Sequence, residues 1–299
     1  MTTVLTSGAV LGIDVGFSKQ RKTTCFCLLR WDCTQVEAKV ELVGSAEPER
    51  QSVVASLVGE RQLLGVGLDG PLTRCLGLAT HYRAAEALLS RGALQNRGKP
   101  AQASTPTGRA LNFHATALAR LVVSSCSVAE ATHLEAIHAK RVIEAFPNSF
   151  LAALTPENAL PPLHRDAADR YWEVLVDRGD LQRILARLLP GRRAMSDLKA
   201  YTHHEHRAAV VCALTALCVA SGEHVAVGDP RDGDIMLPPA DCWGVATDGA
   251  ASWMEAALRE NVEPVRRSRK NHVHHKDARV ARHDKVWFPI NQPSGPTPG

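Results

Sequence analysis

The most constraining feature of this chain is a pair of apolar, glycine-rich segments that each end in an aspartate. Asp14 ends the segment Val10-Leu-Gly-Ile-Asp14, and Asp69 ends Leu63-Leu-Gly-Val-Gly-Leu-Asp69. A third acid, Glu144, lies in the apolar segment Arg141-Val-Ile-Glu-Ala-Phe146. Such segments are typical of strands in a sheet that is covered on both faces. A buried carboxylate is unfavourable unless a metal ion or hydrogen bonds satisfy it. Three of them converging at one sheet edge therefore predict a divalent-cation site.

Composition places the chain among globular proteins. Its 299 residues are 45% hydrophobic, enough for one large domain or two small ones. No apolar run approaches the roughly 20 residues that a membrane span needs, and no basic segment followed by an apolar stretch predicts a signal peptide. None of the eight cysteines forms a Cys-x-x-Cys pair. We therefore expect reduced thiols, a cytoplasmic location and no membrane partner.

The basic charge of the chain is concentrated at its carboxyl-terminal end. The whole sequence has a formal net charge of +4. Residues 261–299 hold eight Lys or Arg and three Asp or Glu, so the preceding part is close to neutral. We interpret 261–299 as a basic, disordered tail, and a nucleic-acid-binding arm is the alternative.

The hydrophobic pattern predicts one α/β domain over residues 9–260. Strands are predicted over 10–16, 23–31, 35–43, 63–69, 141–146 and 225–228. Helices are predicted over 47–60, 81–90, 107–123, 128–140, 208–221 and 246–260. Residues 150–200 are interpreted as an insertion of short helices. The first three strands predict a meander, and the helical crossovers that follow predict parallel pairing of the next strands.

Glu205 is the candidate for a fourth acid, contributed by the late helix. Two-metal hydrolysis needs several oxygen ligands around closely spaced ions, and Mg²⁺ takes a few carboxylates together with water and substrate phosphate. Thr202-His-His-Glu205 also matches a helix capping box, so Glu205 is either a cap or a ligand. Asp69 before Gly-Pro could be a turn residue, and Glu144 could pair with Arg141.

Basic residues in the segment after Asp69 are candidate contacts for substrate phosphates if that segment lies over the strand ends. The candidates that we assign to substrate binding are Arg74, Arg83 and Lys199. For any one of them taken alone, ordinary surface charge on a helix is the favoured interpretation.

Several motifs in order along the chain resemble one known family. They are Gly12-Ile-Asp-Val-Gly16, Gly67-Leu-Asp-Gly-Pro-Leu72, Glu144-Ala-Phe-Pro147, Ala209-Val-Val-Cys-Ala-Leu-Thr-Ala216 and Gly228-Asp-Pro-Arg-Asp-Gly-Asp-Ile-Met-Leu-Pro238. Together they resemble the family called domain of unknown function 429, over about residues 9–240. The resemblance implies an RNase H-like fold: a five-stranded mixed sheet in the order 3-2-1-4-5, with helices on both faces.

The resemblance also implies a nuclease with a Mg²⁺ or Mn²⁺ cofactor. The family's acids correspond to Asp14, Asp69, Glu144 and Glu205, which would be both metal ligands and catalytic residues. The family usually has a second acid three residues further along the late helix, and here that position is Ala208, which cannot bind a metal.

The leading hypothesis is therefore a cytoplasmic, metal-dependent nuclease acting on DNA or RNA. One alternative is an ATP-dependent phosphotransferase of the actin and sugar-kinase type, because Gly12-x-Asp-x-Gly-x-Ser18 resembles its first phosphate loop. The other is a catalytically impaired nucleic-acid-binding module, in which Ala208 marks a decayed site and the tail binds the nucleic acid.

Overall fold

A computed structural model describes most of the chain. The described residues are 6–73, 82–95, 97, 100, 102–131, 139–161, 167–229, 232–246 and 252–273. Arg74, the basic end of the chain beyond residue 273 and the middle of the predicted helix 128–140 lie outside them.

Eight strands form one mixed sheet in the described residues. They are β1 (Gly8–Asp14), β2 (Thr24–Trp31), β3 (Gln35–Val43), β4 (Val66–Asp69), β5 (Val142–Ala145), β6 (Arg193–Ala194), β7 (Val225–Asp229) and β8 (Gly233–Leu237).

In the described part of the chain, eight α-helices accompany the sheet, with short 3₁₀ turns between some of them. They are α1 (Glu47–Val58), α2 (Ala84–Leu89), α3 (Pro106–Ser125), α4 (Pro147–Leu154), α5 (Ala167–Asp177), α6 (Asp180–Leu188), α7 (His204–Ala220) and α8 (Trp253–Val273).

The strand order in the sheet is β6-β3-β2-β1-β4-β5-β8-β7. β1, β2 and β3 form the predicted antiparallel meander. β4 pairs parallel to β1, and β5 pairs parallel to β4, as the helical crossovers predicted. The mixed α/β class is therefore confirmed, but the predicted number of five strands is wrong. The run 3-2-1-4-5 is extended by β8 and β7 on one side and by β6 on the other.

Helices cover both faces of the sheet, and the buried apolar residues form two cores. One core contains α7, α4 and α5 with residues such as Val10 and Ile143. The other contains α1 and α3 with Leu11, Ile13 and Leu68. Consecutive residues of β1 lie in different cores because successive side chains of a strand point to opposite faces. This double coverage explains why the central strands are continuously apolar.

Three sequence-based boundaries need correction. The predicted tail begins too early, since α8 continues to Val273 and buries Asn261 and Val265. The predicted helix 128–140 is wrong at its ends, because Val128 pairs with Leu63 and residue 130 pairs with residue 140 as β-bridges. The insertion 150–200 is not purely helical, because β6 adds a short strand to the edge of the sheet.

Candidate functional site

Asp14 and Asp69 lie side by side at the carboxyl ends of two neighbouring parallel strands. The register pairs Gly12 with Gly67 and Asp14 with Asp69, so the same Gly-x-Asp pattern occurs twice in adjacent strands. Paired residues of neighbouring strands are about 4.8 Å apart and point to the same face. Both aspartates therefore point to the face that α7 covers.

Gly12 and Gly67 bring α7 unusually close to the sheet. A Cβ atom at residue 12 would overlap the backbone of Ala209 and Ala213, and one at residue 67 would overlap the carbonyl of Cys212. The helix therefore packs with its backbone directly on β1 and β4, running opposite to them. Its amino-terminal end consequently lies over the strand ends that hold the two aspartates.

The electrostatics of this acid pair are unfavourable in the absence of a cation. Burial raises the pKa of Asp14 well above its usual range, and the charges of Asp69 and Glu205 raise it further. Burial likewise raises the pKa of Asp69 to about 7, with His204 opposing the rise and Glu144 adding to it. Within the described part of the chain, the carboxylates of Asp14, Asp69 and Glu205 accept no hydrogen bond. Close carboxylates without donors favour a shared proton or a bound cation.

Glu205 belongs to this group, and the capping alternative is wrong. Helix α7 begins after His203, which is the N-cap residue and makes no side-chain capping hydrogen bond. Glu205 therefore does not form a capping box with Thr202. It lies in the first turn of α7, close enough to Asp14 to raise the pKa of that residue.

Ala208, the position at which the family resemblance implies a second helix acid, lies beside Asp69. The two residues line one small cleft together with His204, Arg207 and Asp169. An acid at 208 would therefore face Asp69, and its absence leaves that side of the cleft without a carboxylate from α7.

Asp169 on α5 is an acid of this cleft that the sequence analysis missed. Its carboxylate lies 3.1 Å from Arg207 and 3.3 Å from the His204 ring. It follows a segment without strand character and belongs to the insertion, so only the packing of α5 against α7 brings it to the site. Its ion pair with Arg207 distinguishes it from Asp14 and Asp69.

Glu144 does not join the other predicted acids. It is in register with Leu68, not with Asp69, so its side chain lies on the opposite face of the sheet. There it accepts hydrogen bonds of 2.6 and 2.8 Å from Arg83 and one of 3.3 Å from the Leu72 amide. The predicted convergence therefore holds for Asp14 and Asp69 but not for Glu144, whose cationic partner is Arg83 in place of Arg141.

Arg83 was predicted to contact substrate phosphate, but its guanidinium is buried among acids. Its side chain is only 6% exposed, and its Nε donates to Glu86 over 2.7 Å. Burial lowers the pKa of Arg83, but the charges of Glu144 and Glu86 outweigh burial and raise it overall. Arg83 therefore joins α2 to β5 and, in this arrangement, faces no open surface where a phosphate could lie.

The remaining predicted phosphate contact in the described residues is Lys199. It is 63% exposed and pairs with Asp177 over 3.0 Å. Asp177 lies at the far end of α5 from Asp169, which corresponds to about 12 Å along the helix. Lys199 is thus exposed but displaced from the Asp69 cleft.

Among the described residues, no three His, Cys, Asp or Glu side chains lie together in a ready-made metal site. The seven described cysteines are free, and Cys25, Cys27, Cys212 and Cys218 are buried, as expected for reduced core thiols. No helix in the described part has both the length and the apolarity to cross a membrane.

The chain matches no protein-family model, no curated protein and no solved structure. The resemblance to domain of unknown function 429 therefore stays a prediction that rests on the motifs quoted above.

Proposed function

We propose that this protein is a metal-dependent phosphodiesterase that cleaves nucleic acid, with Asp14 and Asp69 at the centre of its site. The observation that carries the proposal is the in-register pair of aspartates with raised pKa values and no hydrogen-bond donor among the described residues. Perturbed carboxylates in a cleft are typical of functional sites, whereas structural carboxylates have cationic or donor partners.

The donor set of this pair fits a hard divalent cation. Mg²⁺ is usually bound by one or two carboxylates, keeps several waters and completes its shell with substrate phosphate. Two carboxylates without a third ligand in place are therefore compatible with such an ion. Asp14 and Asp69 would hold it, with Glu205 as an additional oxygen ligand, and a bound Mg²⁺ or Mn²⁺ would supply an activated water and neutralise phosphate charge.

The chain's own residues define what each would do. The charges of Asp69 and Glu205 both raise the pKa of Asp14, so Asp14 is close to both of these carboxylates. It is therefore the residue best placed to share a cation with either of them. His204 opposes the rise in the pKa of Asp69 and also lies 3.3 Å from Asp169. Because Ala208 provides no oxygen on the Asp69 side, we expect one tightly bound ion and a weak second one.

The RNase H-like topology is part of this proposal. The central strands have the order that the family resemblance implies, and the two aspartates lie at adjacent strand ends. We assign Glu144, the family's remaining acid, to the network of Arg83. A direct metal contact by Glu144 would require Arg83 to release it.

The phosphotransferase alternative has less support. Its evidence was the glycine spacing around Asp14, and packing accounts for both glycines. A Cβ at Gly12 would overlap α7, and one at Gly16 would overlap the backbone of Thr23 across the β1–β2 turn. Packing therefore explains this glycine spacing without a bound phosphate.

A cleavage assay tests the nuclease proposal. Labelled single-stranded and duplex oligonucleotides would be incubated with Mn²⁺ and the wild-type protein, Asp14→Asn or Glu60→Gln. Glu60 is an exposed acid and provides the matched carboxylate-to-amide control. We expect metal-dependent cleavage that falls at least about 100-fold in Asp14→Asn, a larger effect than the loss of an outer-shell partner, and is unchanged in the control.

Equal cleavage by the wild type and Asp14→Asn would exclude the aspartate pair as the catalytic centre. Binding without cleavage by the wild-type protein would favour the impaired binding module instead.

A further inference from the structure

Three aromatic rings lie together on the surface near the carboxyl ends of β1 and β4, on the side of the sheet that α3 covers. Phe17 belongs to the β1–β2 turn, residues 15–23, and stacks on the ring of His114 with centroids 5.2 Å apart and planes 3° apart. Phe113 contacts the same ring edge-on at 5.3 Å. Phe113 is 68% exposed and Phe17 is 37% exposed, which is unusual for residues of this type in a protein with large buried cores. We call Phe17, Phe113 and His114 the aromatic platform.

Both segments that form the platform are held near the carboxyl ends of β1 and β4. Phe17 follows Asp14 by three residues, so the two lie within about 11 Å along the chain. Helix α3 is fixed to the segment after Asp69, because the Asn112 side chain donates to the carbonyls of Pro71 and Thr73 over 2.8 and 3.0 Å. A ligand on the platform would therefore extend toward the carboxyl edge of β1 and β4.

The charge around the platform is positive. The β1–β2 turn contains Lys19, Arg21 and Lys22, and neither this turn nor α3 contains an Asp or Glu. Lys22 pairs with Glu49 over 2.9 Å, whereas Lys19 and Arg21 are exposed and form no ion pair in the part of the chain that the structure describes.

Helix α3 extends this positive charge along its exposed face. Arg109 and Arg120 lie four residues before and seven residues after Phe113, so they share its side of the helix. Arg120, like Lys19 and Arg21, forms no ion pair within the described residues.

The surroundings of the imidazole in the platform favour its neutral form. Burial lowers the pKa of His114, and the nearby Arg50 charge lowers it further. A neutral imidazole stacked on Phe17 behaves as an aromatic surface and adds no charge of its own. The cations and the rings are therefore separate features, as in proteins that bind single strands through both stacking and phosphate contacts.

We infer that this platform binds unpaired bases of a single-stranded nucleic acid, with the surrounding Lys and Arg side chains following its phosphates. The inference rests on the proposed function, since it names the form of nucleic acid that would reach the Asp14–Asp69 site. Stacking on exposed rings is available only to bases that are not held in a duplex, so the platform selects single strands over duplexes.

Binding in the absence of metal ions separates this inference from cleavage. Fluorescence anisotropy in EDTA would use a labelled oligodeoxyadenylate of about 12 nucleotides, within the usual site sizes for such surfaces. A strand of the same length with abasic sites throughout keeps the phosphates and removes the bases. A duplex of the same length tests whether the bases must be unpaired.

We expect the oligodeoxyadenylate to bind more tightly than the abasic strand or the duplex. Phe17→Ala and Phe113→Ala should each weaken its binding roughly 5- to 20-fold and leave the abasic strand unaffected. Phe113→Tyr should retain binding because it keeps the ring. Arg120→Gln should weaken both strands and reduce the salt dependence by about one phosphate contact. Met195→Ala, at an exposed apolar residue on the strand edge, is the matched control and should change nothing.

Equal binding of the base-containing and abasic strands, tighter binding of the duplex, or wild-type binding by Phe17→Ala and Phe113→Ala would overturn the inference. Absence of binding to any probe would overturn it as well. If the ring variants lose binding but the wild type fails to cleave with Mn²⁺, the platform stands and the proposed nuclease fails. If cleavage depends on Asp14 but not on Phe17 and Phe113, the proposed nuclease stands and the platform fails.

Discussion

Two groups of acids lie near the same edge of the sheet, on opposite faces, and they differ in their partners. On one face, Glu144 and Glu86 share the guanidinium of Arg83 at 2.6 and 2.7 Å. On the other face, the charges of Asp69 and Glu205 raise the pKa of Asp14 and the charge of Glu144 raises that of Asp69, while among the described residues the exposed His204 opposes the rise at Asp69.

The difference separates a structural role from a functional one. A buried carboxylate that has a cation and backbone donors is complete in the folded protein, and Glu86 accepts from the Ala103 amide as well as from Arg83. A pair of acids without such partners lowers the stability of the fold, and proteins retain such groups at sites where a ligand supplies the missing charge. The first group therefore stabilises the fold, and the second provides a place for a cation.

Removing the cation from the group of Arg83, Glu86 and Glu144 should have the largest effect on stability. Arg83→Met keeps much of the side-chain volume but leaves Glu86 and Glu144 buried without their cation, which should lower the free energy of unfolding by about 3–5 kcal/mol. Arg259→Met is the matched control, because Arg259 forms an exposed pair with Glu255. Exposed pairs contribute less than about 1 kcal/mol. Urea denaturation of the two variants would contradict this account if they were equally stable.

Removing an acid from the group of Asp14, Asp69 and Glu205 should instead raise the free energy of unfolding. The pKa of Asp69 is raised to about 7 in the folded protein and is about 3.9 in an unfolded chain. Between these values the folded state holds a proton that the unfolded state has released, so this residue lowers stability progressively as pH rises through that window. Asp69→Asn should therefore be more stable than the wild type above neutral pH, by on the order of 1–3 kcal/mol.

The stability difference between Asp69→Asn and the wild type should shrink toward acidic pH. Urea denaturation at a series of pH values measures it, and Glu60→Gln serves as the exposed control. A difference that stays constant with pH would show that Asp69 has no raised pKa.

The smallest expected effects are changes in Mn²⁺ binding caused by substitutions at Glu205 and Ala208, the two positions of α7 beside Asp14 and Asp69. Glu205→Gln should weaken Mn²⁺ binding roughly 10-fold, because a neutral amide is a poor ligand for a hard dication. Ala208→Asp should strengthen binding of the weakly bound second ion. Ala208→Asn introduces a side chain of nearly the same shape without the charge, so it should not strengthen this binding. Calorimetric titration would argue against this geometry if Asp and Asn at 208 behaved alike.

The sequence predicts the strands that contain Asp14 and Asp69 and the helix that covers them, because apolar runs and their breaks are local signals. It does not predict on which face Glu144 lies. A strand that is buried on both faces has no alternation of polar and apolar residues, so Val142-Ile-Glu-Ala145 gives no indication of where its side chains point.

Partners that are distant along the chain are equally hidden from the sequence. Arg83 precedes Glu144 by 61 residues, and Asp169 reaches the cleft only through the packing of α5 on α7. Arg83 was therefore assigned to the substrate, and Asp169 was not considered. The Gly-x-Asp repeat was visible, but the register that places its two copies side by side is a property of the sheet.

The most direct test of the central claim is a Mn²⁺ titration by calorimetry near pH 8 on the wild type, Asp14→Asn and Glu144→Gln. Circular dichroism would first confirm that each variant is folded. We expect the wild type to bind, Asp14→Asn to lose binding, and Glu144→Gln to keep wild-type affinity. Binding should weaken below neutral pH, because protons then compete with the metal ion for Asp69. Undiminished Mn²⁺ binding in Asp14→Asn, or its loss in a folded Glu144→Gln, would show that the cation site is not the aspartate pair.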